Sequence, residues 1–225
     1  MEKPDYLKHR QRLRKKFIDS GIESLSDYEK LELLLTYAVS RKDVKPIGKE
    51  LINKFKSLSS VLDADADNLK KIKGLGEYST VLIKLVRELS TAYLEENAKE
   101  KDYLKSPKTV VDFCRMKLGA NHNELFMALF LNTKNKFIDF KIISEGSINT
   151  VPIYPRKIIK LALDRHASGI ILVHNHPSGD TEPSDVDKDI TQSMIKISKD
   201  LEIKILDHII VSRQNYFSFL ENNLI

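Results

Sequence analysis

The sequence predicts an α+β protein, with an all-α N-terminal domain followed by an α/β domain that has one central sheet. Three observations support this class. Up to about residue 97, apolar residues recur at helical spacing. The segment 95–105 is then charged and nearly free of apolar residues. Beyond it, short strand-type runs alternate with helical segments, which is typical of a sheet covered by helices. We therefore predict domains at 1–97 and 107–225, joined by a linker at 98–106.

In the first domain, Ser26 followed by Glu29 predicts a capping box that opens a helix over residues 27–39. A second helix is predicted through residues 49–55, and a short one over 69–73 ends at Gly74-Leu75-Gly76. After this turn, apolar residues at helical spacing predict a long amphipathic helix: Tyr78, Val81, Leu82, Leu85 and Leu89.

In the second domain, the strand-type runs 124–131 and 137–144 are joined by a short polar hairpin loop. Pro155 suits the first position of a helix that continues to about residue 166. Residues 169–174 form an apolar run of the buried-strand type. Ser184 then opens another helix, and residues 204–211 supply a later strand.

Composition and charge restrict the class of protein. The chain has 225 residues, of which 41% are hydrophobic and 31% charged, so it can form packed cores and is too mixed for extended disorder. No apolar run approaches the roughly 20 residues of a membrane span, and no secretory signal is expected behind the basic N-terminus. The single cysteine, Cys114, excludes an internal disulfide and a cysteine-based zinc ribbon. We expect a cytoplasmic protein without a membrane partner.

The net charge of +5 permits nucleic-acid binding without requiring it. The densest basic cluster surrounds most of the circumference of a helix, which favours a solvated helix over a phosphate-binding stripe. Its members are Lys8, Arg10, Arg12, Arg14, Lys15 and Lys16.

Two histidines at the end of the buried strand indicate a metal site. Side chains alternate along a strand, so His174 and His176 share one face while Asn175 points away. The loop that follows is rich in proline and glycine, and Ser184-x-x-Asp187 then opens a helix that can fold a carboxylate back toward the histidines. Two nitrogens and one oxygen leave a fourth position for water, as in catalytic zinc sites.

The residues alone leave several roles open. Four nearby carboxylates compete with Asp187 for the third ligand position: Asp180, Glu182, Asp185 and Asp189. Ser184 can act only as a helix cap, or can cap and also donate its hydroxyl to an oxyanion. His208 is expected to be a polar residue on a strand edge.

These residues resemble a known motif. His174-x-His176-Pro177 with Ser184-x-x-Asp187 is similar to the JAMM motif of JAB/MPN metallohydrolases, and the string HNHPSGDTEPSDVD resembles the RadC family in particular. The segment DYEKLELLL at 27–35 resembles the N-terminal region of that family, whose helix-hairpin-helix corresponds to residues 74–76. The resemblance covers nearly the whole chain. It implies a JAB/MPN (cytidine-deaminase-like) domain with a mixed sheet behind a helix-hairpin-helix domain.

The resemblance also implies roles for individual residues. It implies three ligands of Zn²⁺: His174, His176 and Asp187. The general base of the family is a glutamate on the first strand of the domain, which matches Glu124, whereas the residues alone make Glu145 an equal rival. Ser184 would stabilise the tetrahedral intermediate. The implied activity is hydrolysis of an amide or isopeptide bond in an unidentified protein or peptide.

The predicted hairpin raises a second possibility. Backbone N–H groups after Gly76 could contact a DNA phosphate without reading sequence, helped by Lys71, Lys73 and Lys84 and opposed by Glu77. The alternative is a tight turn between helices that requires glycine. The competing function is therefore a DNA-binding repair accessory or nuclease-like protein, with zinc in a structural or non-peptidase role. The oligomeric state is open, with a dimer as one possibility.

Overall fold

The computed structural model describes residues 5–40, 42–146 and 153–225. The chain divides into two compact units, one ending at Ser90 and one running from Thr91 to Ile225. This division falls inside a long helix, whereas the sequence places a linker at 98–106. That segment contributes to the second unit, because Ala98 and Tyr103 are both buried in its core.

The described part of the first unit is helical. Ser26 and Glu29 form the predicted capping box at the start of its second helix. The elements are α1 (Asp5–Ser20), a 3-10 turn (Ile22–Ser24), α2 (Asp27–Ala38), α3 (Lys45–Phe55), α4 (Leu58–Asp63), α5 (Ala66–Lys70) and the first part of α6 (Glu77–Glu100). Its core consists of apolar side chains: Leu31, Leu35, Val44, Ile47, Leu51, Val61, Leu69, Ile72, Leu75 and Ile83.

The long helix predicted after the glycine turn is present as α6, but most of its apolar residues at helical spacing are not on its buried face. Ile83 is buried, together with Ser79 and Thr80. Four of the apolar residues at helical spacing are exposed instead: Tyr78, Val81, Leu85 and Leu89. The spacing predicted the helix but not this exposure, because helical spacing shows which residues share a face and not what covers that face. Although α6 is long, neither it nor any other described helix combines the length and apolar content needed to cross a membrane.

The second unit is built around a five-stranded mixed sheet in the order β2-β1-β3-β4-β5. The β3–β4 pair is parallel and the other pairs are antiparallel, which confirms the predicted α+β class. Its elements after α6 are α7 (Pro107–Leu118), β1 (Leu125–Leu131), β2 (Phe137–Glu145), α8 (Pro155–Asp164), β3 (Gly169–Asn175), α9 (Asp185–Lys199), β4 (Lys204–Val211) and β5 (Tyr216–Ser218).

The sheet separates two apolar cores. Met127, Leu129 and other odd-numbered residues of β1 and β3 pack in the core that includes α7. Phe126 and Leu172, which are even-numbered, pack in the core that includes α8 and α9. Both strands are buried at all seven positions, as expected where helices cover both faces. His174 continues the even-numbered face, so its side chain lies on the α9 side of the sheet.

Candidate metal centre

His174 and His176 stand at the carboxyl end of β3. His174 is the penultimate residue of the strand and is fully buried. His176 follows the strand but keeps its pairing with β4, because its backbone N–H donates to the Val211 carbonyl over 3.0 Å. The alternation of side chains therefore continues through His176, and both imidazoles lie on the face covered by α9.

Asp187 approaches the histidines from the first turn of α9. Ser184 caps this helix through a reciprocal pair of bonds, in which the Asp187 N–H donates to Ser184 Oγ over 3.2 Å and the Ser184 N–H donates to Asp187 Oδ2 over 2.8 Å. The carboxylate is thereby held at the N-terminal end of the helix, where the helix dipole stabilises a negative charge. The Asp187 side chain is buried.

The three side chains form a compact group of metal-binding atoms. The Nε2 atoms of His174 and His176 lie 3.0 Å apart. His174 Nε2 lies 3.1 Å from Asp187 Oδ1, and His176 Nε2 lies 3.7 Å from Asp187 Oδ2. Within the described ranges, the four rival carboxylates are not part of any such group: Asp180, Glu182, Asp185 and Asp189.

The chemistry of this group fits a metal ion. Asp187 Oδ1 is buried and accepts no hydrogen bond from the residues described, although His174 Nε2 lies 3.1 Å away. A buried carboxylate oxygen in this state is costly unless a cation compensates it. His176 Nδ1 donates to the Asp180 carbonyl over 2.7 Å, which leaves the lone pair of Nε2 directed into the group. Two imidazole nitrogens and one carboxylate oxygen are ligands typical of catalytic zinc.

The electrostatics of the group favour an ionised carboxylate beside the imidazoles. Burial alone would raise the pKa of Asp187, but interactions with His174, His176 and Ser184 outweigh burial and hold this pKa far below its usual value. The Asp187 carboxylate in turn raises the pKa of His176, against the opposing effect of burial. A metal ion that binds here therefore competes with a proton for His176.

Glu124 lies directly before β1, on the same face of the sheet as the histidines. The antiparallel register pairs Phe126 with His174, and the same register continued by two residues sets Glu124 opposite His176. The Glu124 carboxylate is close enough to contribute to the raised pKa of His176. This position is suited to a proton acceptor beside a metal-bound substrate.

Glu145 occupies a different environment. It pairs with Leu125, whose side chain packs in the core that includes α7, so Glu145 lies on the opposite face from the histidines. Its side chain is exposed and accepts a hydrogen bond from Asn123 Nδ2 over 3.2 Å. The geometry therefore favours Glu124 over Glu145 as the carboxylate nearest the donor group.

Ser184 uses its hydroxyl hydrogen within the helix cap, because Oγ donates to Asp187 Oδ2 over 2.6 Å. To stabilise an oxyanion, the hydroxyl must turn away from Asp187. Ser184 is exposed, so space is available for this rotation. Its role toward a tetrahedral intermediate stays a prediction.

His208 is a neighbour of the site that the sequence reasoning missed. The expectation of a strand-edge residue is wrong, because β4 lies between β3 and β5 and His208 is fully buried. Its Nε2 lies 2.9 Å from His174 Nδ1, and its Nδ1 lies 2.6 Å from Thr191 Oγ1. Burial, reinforced by His174, holds the pKa of His208 well below its usual value. The available signal was the mostly apolar run 205–211, which is typical of an interior strand.

Asn175 lies between the two histidines and holds the segment that carries Glu124. It is fully buried, and its Oδ1 accepts from the Leu125 N–H over 2.8 Å. Its Nδ2 donates to the carbonyls of Asn121 and Asn123 over 3.3 and 3.1 Å. These three bonds tie the turn before β1 to the end of β3.

A polar cleft of about 390 Å³ opens beside this end of the sheet. Its walls come from the end of α7, the loop after His176 and the β4–β5 turn. The Arg115 guanidinium donates to the carbonyls of Arg213 and Gln214 over 3.1 and 2.7 Å, and so holds that turn in place. The loop after His176 thus lines the cleft and also provides the Asp180 carbonyl that accepts from His176.

The order of the strands and the position of the donor group define the class of the second unit, which is a JAB-type domain. Comparison with known proteins agrees, because residues 104–224 match the RadC-like JAB domain and residues 5–81 match the UPF0758 N-terminal domain. A UPF0758 protein of Fusobacterium nucleatum subsp. nucleatum is 40% identical over 232 residues, which cover the whole of both chains. This chain belongs to the RadC (UPF0758) family.

Proposed function

We propose that this protein is a zinc-dependent hydrolase of the JAMM type, a metallopeptidase or isopeptidase that cleaves an amide bond. The observation that carries the proposal is the compact group of His174, His176 and Asp187, in which one buried carboxylate oxygen has no hydrogen-bond partner in the described structure. Membership of the RadC-like JAB family supports it.

The residues around the group have separate roles in this proposal. A zinc ion held by the three ligands would act as a Lewis acid toward a water molecule and a substrate carbonyl. Glu124 takes a proton from the attacking water and delivers it to the leaving amine. Ser184 turns from Asp187 and donates its hydroxyl to the developing oxyanion. The polar cleft beside His176 accommodates the substrate chain on one side of the bond that is cleaved.

Metal content tests the ligand assignment. Asp187→Asn keeps the size of the side chain but removes its charge, and Asp189→Asn is the matched control because Asp189 is an exposed carboxylate in the same helix. Wild type and Asp189→Asn are each expected to hold about one zinc ion per chain, and Asp187→Asn and His174→Ala none. Stoichiometric zinc that survives both ligand substitutions would refute the assignment.

Turnover tests the role of Glu124. Glu124→Gln and Glu145→Gln are compared on a panel of peptides and isopeptide-linked peptides. Both variants are expected to retain zinc, whereas only Glu124→Gln loses turnover, by about 10² to 10⁴-fold. Equal turnover in the two variants would remove Glu124 from the mechanism.

The geometry of the hairpin favours DNA binding as a second function. Gly74 has a φ of 95°, Leu75 is buried, and a Cβ at Gly76 would meet no atom within 4 Å. The turn is thus anchored by its middle residue, and its outer side is open to a phosphate at the start of α6. Lys84 was expected to help contact a DNA phosphate, but its Nζ donates instead to two backbone carbonyls at the end of α4: Leu62 and Ala64.

Titration of duplex DNA with the full chain at two salt concentrations tests this second function. Affinity is expected to be weak and to fall as salt rises, because phosphate contacts release counterions. Lys73→Glu places a negative charge beside the turn and is expected to weaken binding further, since Lys73 is exposed. Binding that is absent at low salt, or that does not depend on salt, would exclude the phosphate contact.

A further inference from the structure

A chain of hydrogen bonds runs from α9 through β4 to the metal-binding histidine of β3. Thr191 lies one helical turn after Asp187, and its Oγ1 donates to the Asp187 carbonyl over 2.6 Å. The same oxygen lies 2.6 Å from His208 Nδ1, and His208 Nε2 lies 2.9 Å from His174 Nδ1. The side chains of Thr191, His208 and His174 are all fully buried, so water does not compete for these bonds.

The number of available protons sets the direction of every bond in this chain. A threonine hydroxyl has one hydrogen, and the Asp187 carbonyl can only accept it. Thr191 Oγ1 must therefore accept from His208 Nδ1, which carries a proton. A neutral imidazole has one N–H, so His208 Nε2 is a lone pair and accepts from His174 Nδ1. The neutral form of His174 then has its lone pair on Nε2, and this is the atom that faces Asp187 and His176.

We infer that Thr191 and His208 are positioning residues that hold His174 in the one tautomer able to bind a metal through Nε2. This inference rests on the proposed function for the identity of the ion, but the tautomer is a property of the protein alone. The usual partner of a metal-binding histidine is a carboxylate or a carbonyl, which can only accept. His208 can either donate or accept, so its direction depends on the hydroxyl of Thr191.

Aromatic packing holds the imidazoles of His174 and His208 at the angles that these hydrogen bonds need. Phe219 stacks on His208 with ring centroids 4.8 Å apart. Phe126 stacks on His174 with centroids 6.0 Å apart and meets His208 edge-on at 5.8 Å. Reorienting either ring would disturb this packing. A change of tautomer is therefore the remaining way to reverse the direction of the hydrogen bonds.

Loss of the Thr191 hydroxyl should reverse these hydrogen bonds in most of the population. In Thr191→Val the buried His208 Nδ1–H has no acceptor, which is costly, and the His208 tautomer protonated at Nε2 becomes the favoured one. His174 must then accept at Nδ1 and carry its own proton at Nε2, where it blocks the metal. The apparent zinc affinity is multiplied by the fraction of protein that keeps the metal-binding tautomer, so a tenfold loss means that about one molecule in ten keeps it. Thr191→Ser keeps the hydroxyl and is the conservative control.

Two measurements on the full chain test the inference. Long-range proton–nitrogen correlation spectra of the metal-free protein, recorded at about pH 8 and so above the ordinary pKa of an imidazole, report which nitrogen of each histidine carries the proton. Competition with a fluorescent zinc chelator reports zinc affinity. We expect wild type and Thr191→Ser to carry protons on Nδ1 of both His174 and His208. Thr191→Val is expected to be mostly in the reversed tautomer and to bind zinc about 10- to 100-fold more weakly, and Thr191→Ser to change by less than about threefold.

The outcomes separate this inference from the proposed function. A wild-type His174 protonated at Nε2 overturns the inference, and this measurement needs no variant to fold. A Thr191→Val protein with wild-type tautomers and wild-type zinc affinity also overturns it. A wild-type His174 protonated at Nδ1 in a protein that binds no zinc supports the inferred tautomer and refutes the proposed function instead.

Discussion

Replacing Asn175 by alanine is expected to destabilise the second unit by about 3 kcal/mol. Asn175 is fully buried, and its side chain makes three hydrogen bonds to the backbone of the first residue of β1 and of the turn before it. A typical intramolecular hydrogen bond contributes about 1 kcal/mol net, and a buried group left without a partner loses at least that much. Three such bonds give the estimate of about 3 kcal/mol. The same loss releases the segment that places Glu124.

Chemical denaturation followed by circular dichroism measures this effect. Ser198→Ala is the control, because Ser198 is also buried but makes a single bond of 3.3 Å to a carbonyl of its own helix. The control is expected to lose less than about 1 kcal/mol. Hydrogen exchange at the Leu125 amide should accelerate in Asn175→Ala only. If Asn175→Ala is no less stable than Ser198→Ala, the three bonds do not hold the start of β1 and the reasoning fails.

Three further predictions concern packing, protons and the metal. A Cβ at Gly119 would lie 2.6 Å from the Ser212 carbonyl oxygen, so Gly119→Ala is expected to lose about 1 to 3 kcal/mol. Gly76→Ala, with open space at its Cβ, is the control, and equal unfolding midpoints would contradict the prediction. Zinc affinity is expected to fall as pH drops through the raised pKa of His176, by about tenfold per pH unit for one proton. An affinity that stays constant from about pH 8 to 5 would show that His176 is not a ligand. Saturating zinc at about 100 times its Kd should stabilise the folded chain by about 2.7 kcal/mol. Calorimetry before and after chelation should therefore show a lower Tm without zinc, and an unchanged Tm would argue against binding to the folded state.

Local rules were sufficient for the parts of the site that lie close together in sequence. Alternation along a strand places His174 and His176 on one face, and the structure has them there. The S-x-x-D pattern predicts a helix start, and the capping box at Ser184 holds Asp187 in the first turn. Spacing left four other carboxylates possible as ligands, because it does not show which one the loop turns inward. The structure brings only Asp187, of these five, into the described donor group.

The contacts of His208 and Asn175 could not be predicted from the sequence, because they depend on pairing between strands that are distant along the chain. His208 is 34 positions from His174, and the two meet because β4 pairs with β3 in parallel. Asn175 bonds to a segment 50 or more positions earlier in the chain, because β1 pairs with β3 in the opposite direction. Neither pairing has a local signal. The exposed apolar face of α6 has the same explanation, since periodicity identifies a face but not its neighbour.

In the proposed function, the topology allows metal binding and proton transfer to be separated by mutation. The connection from β3 to α9 begins at the carboxyl end of β3, so Asp187 in the first turn of α9 meets the two histidines there. β1 runs antiparallel to β3, and its start therefore lies at the same edge of the sheet, which brings Glu124 to the site from a different element. The position of Glu124 depends on the β1–β3 register and on Asn175. The positions of the candidate ligands depend on the helix cap and on His208, so different contacts hold the two sets of residues. Glu124→Gln should therefore abolish turnover while zinc stays bound. Thr191→Val should weaken zinc binding without moving the segment that carries Glu124.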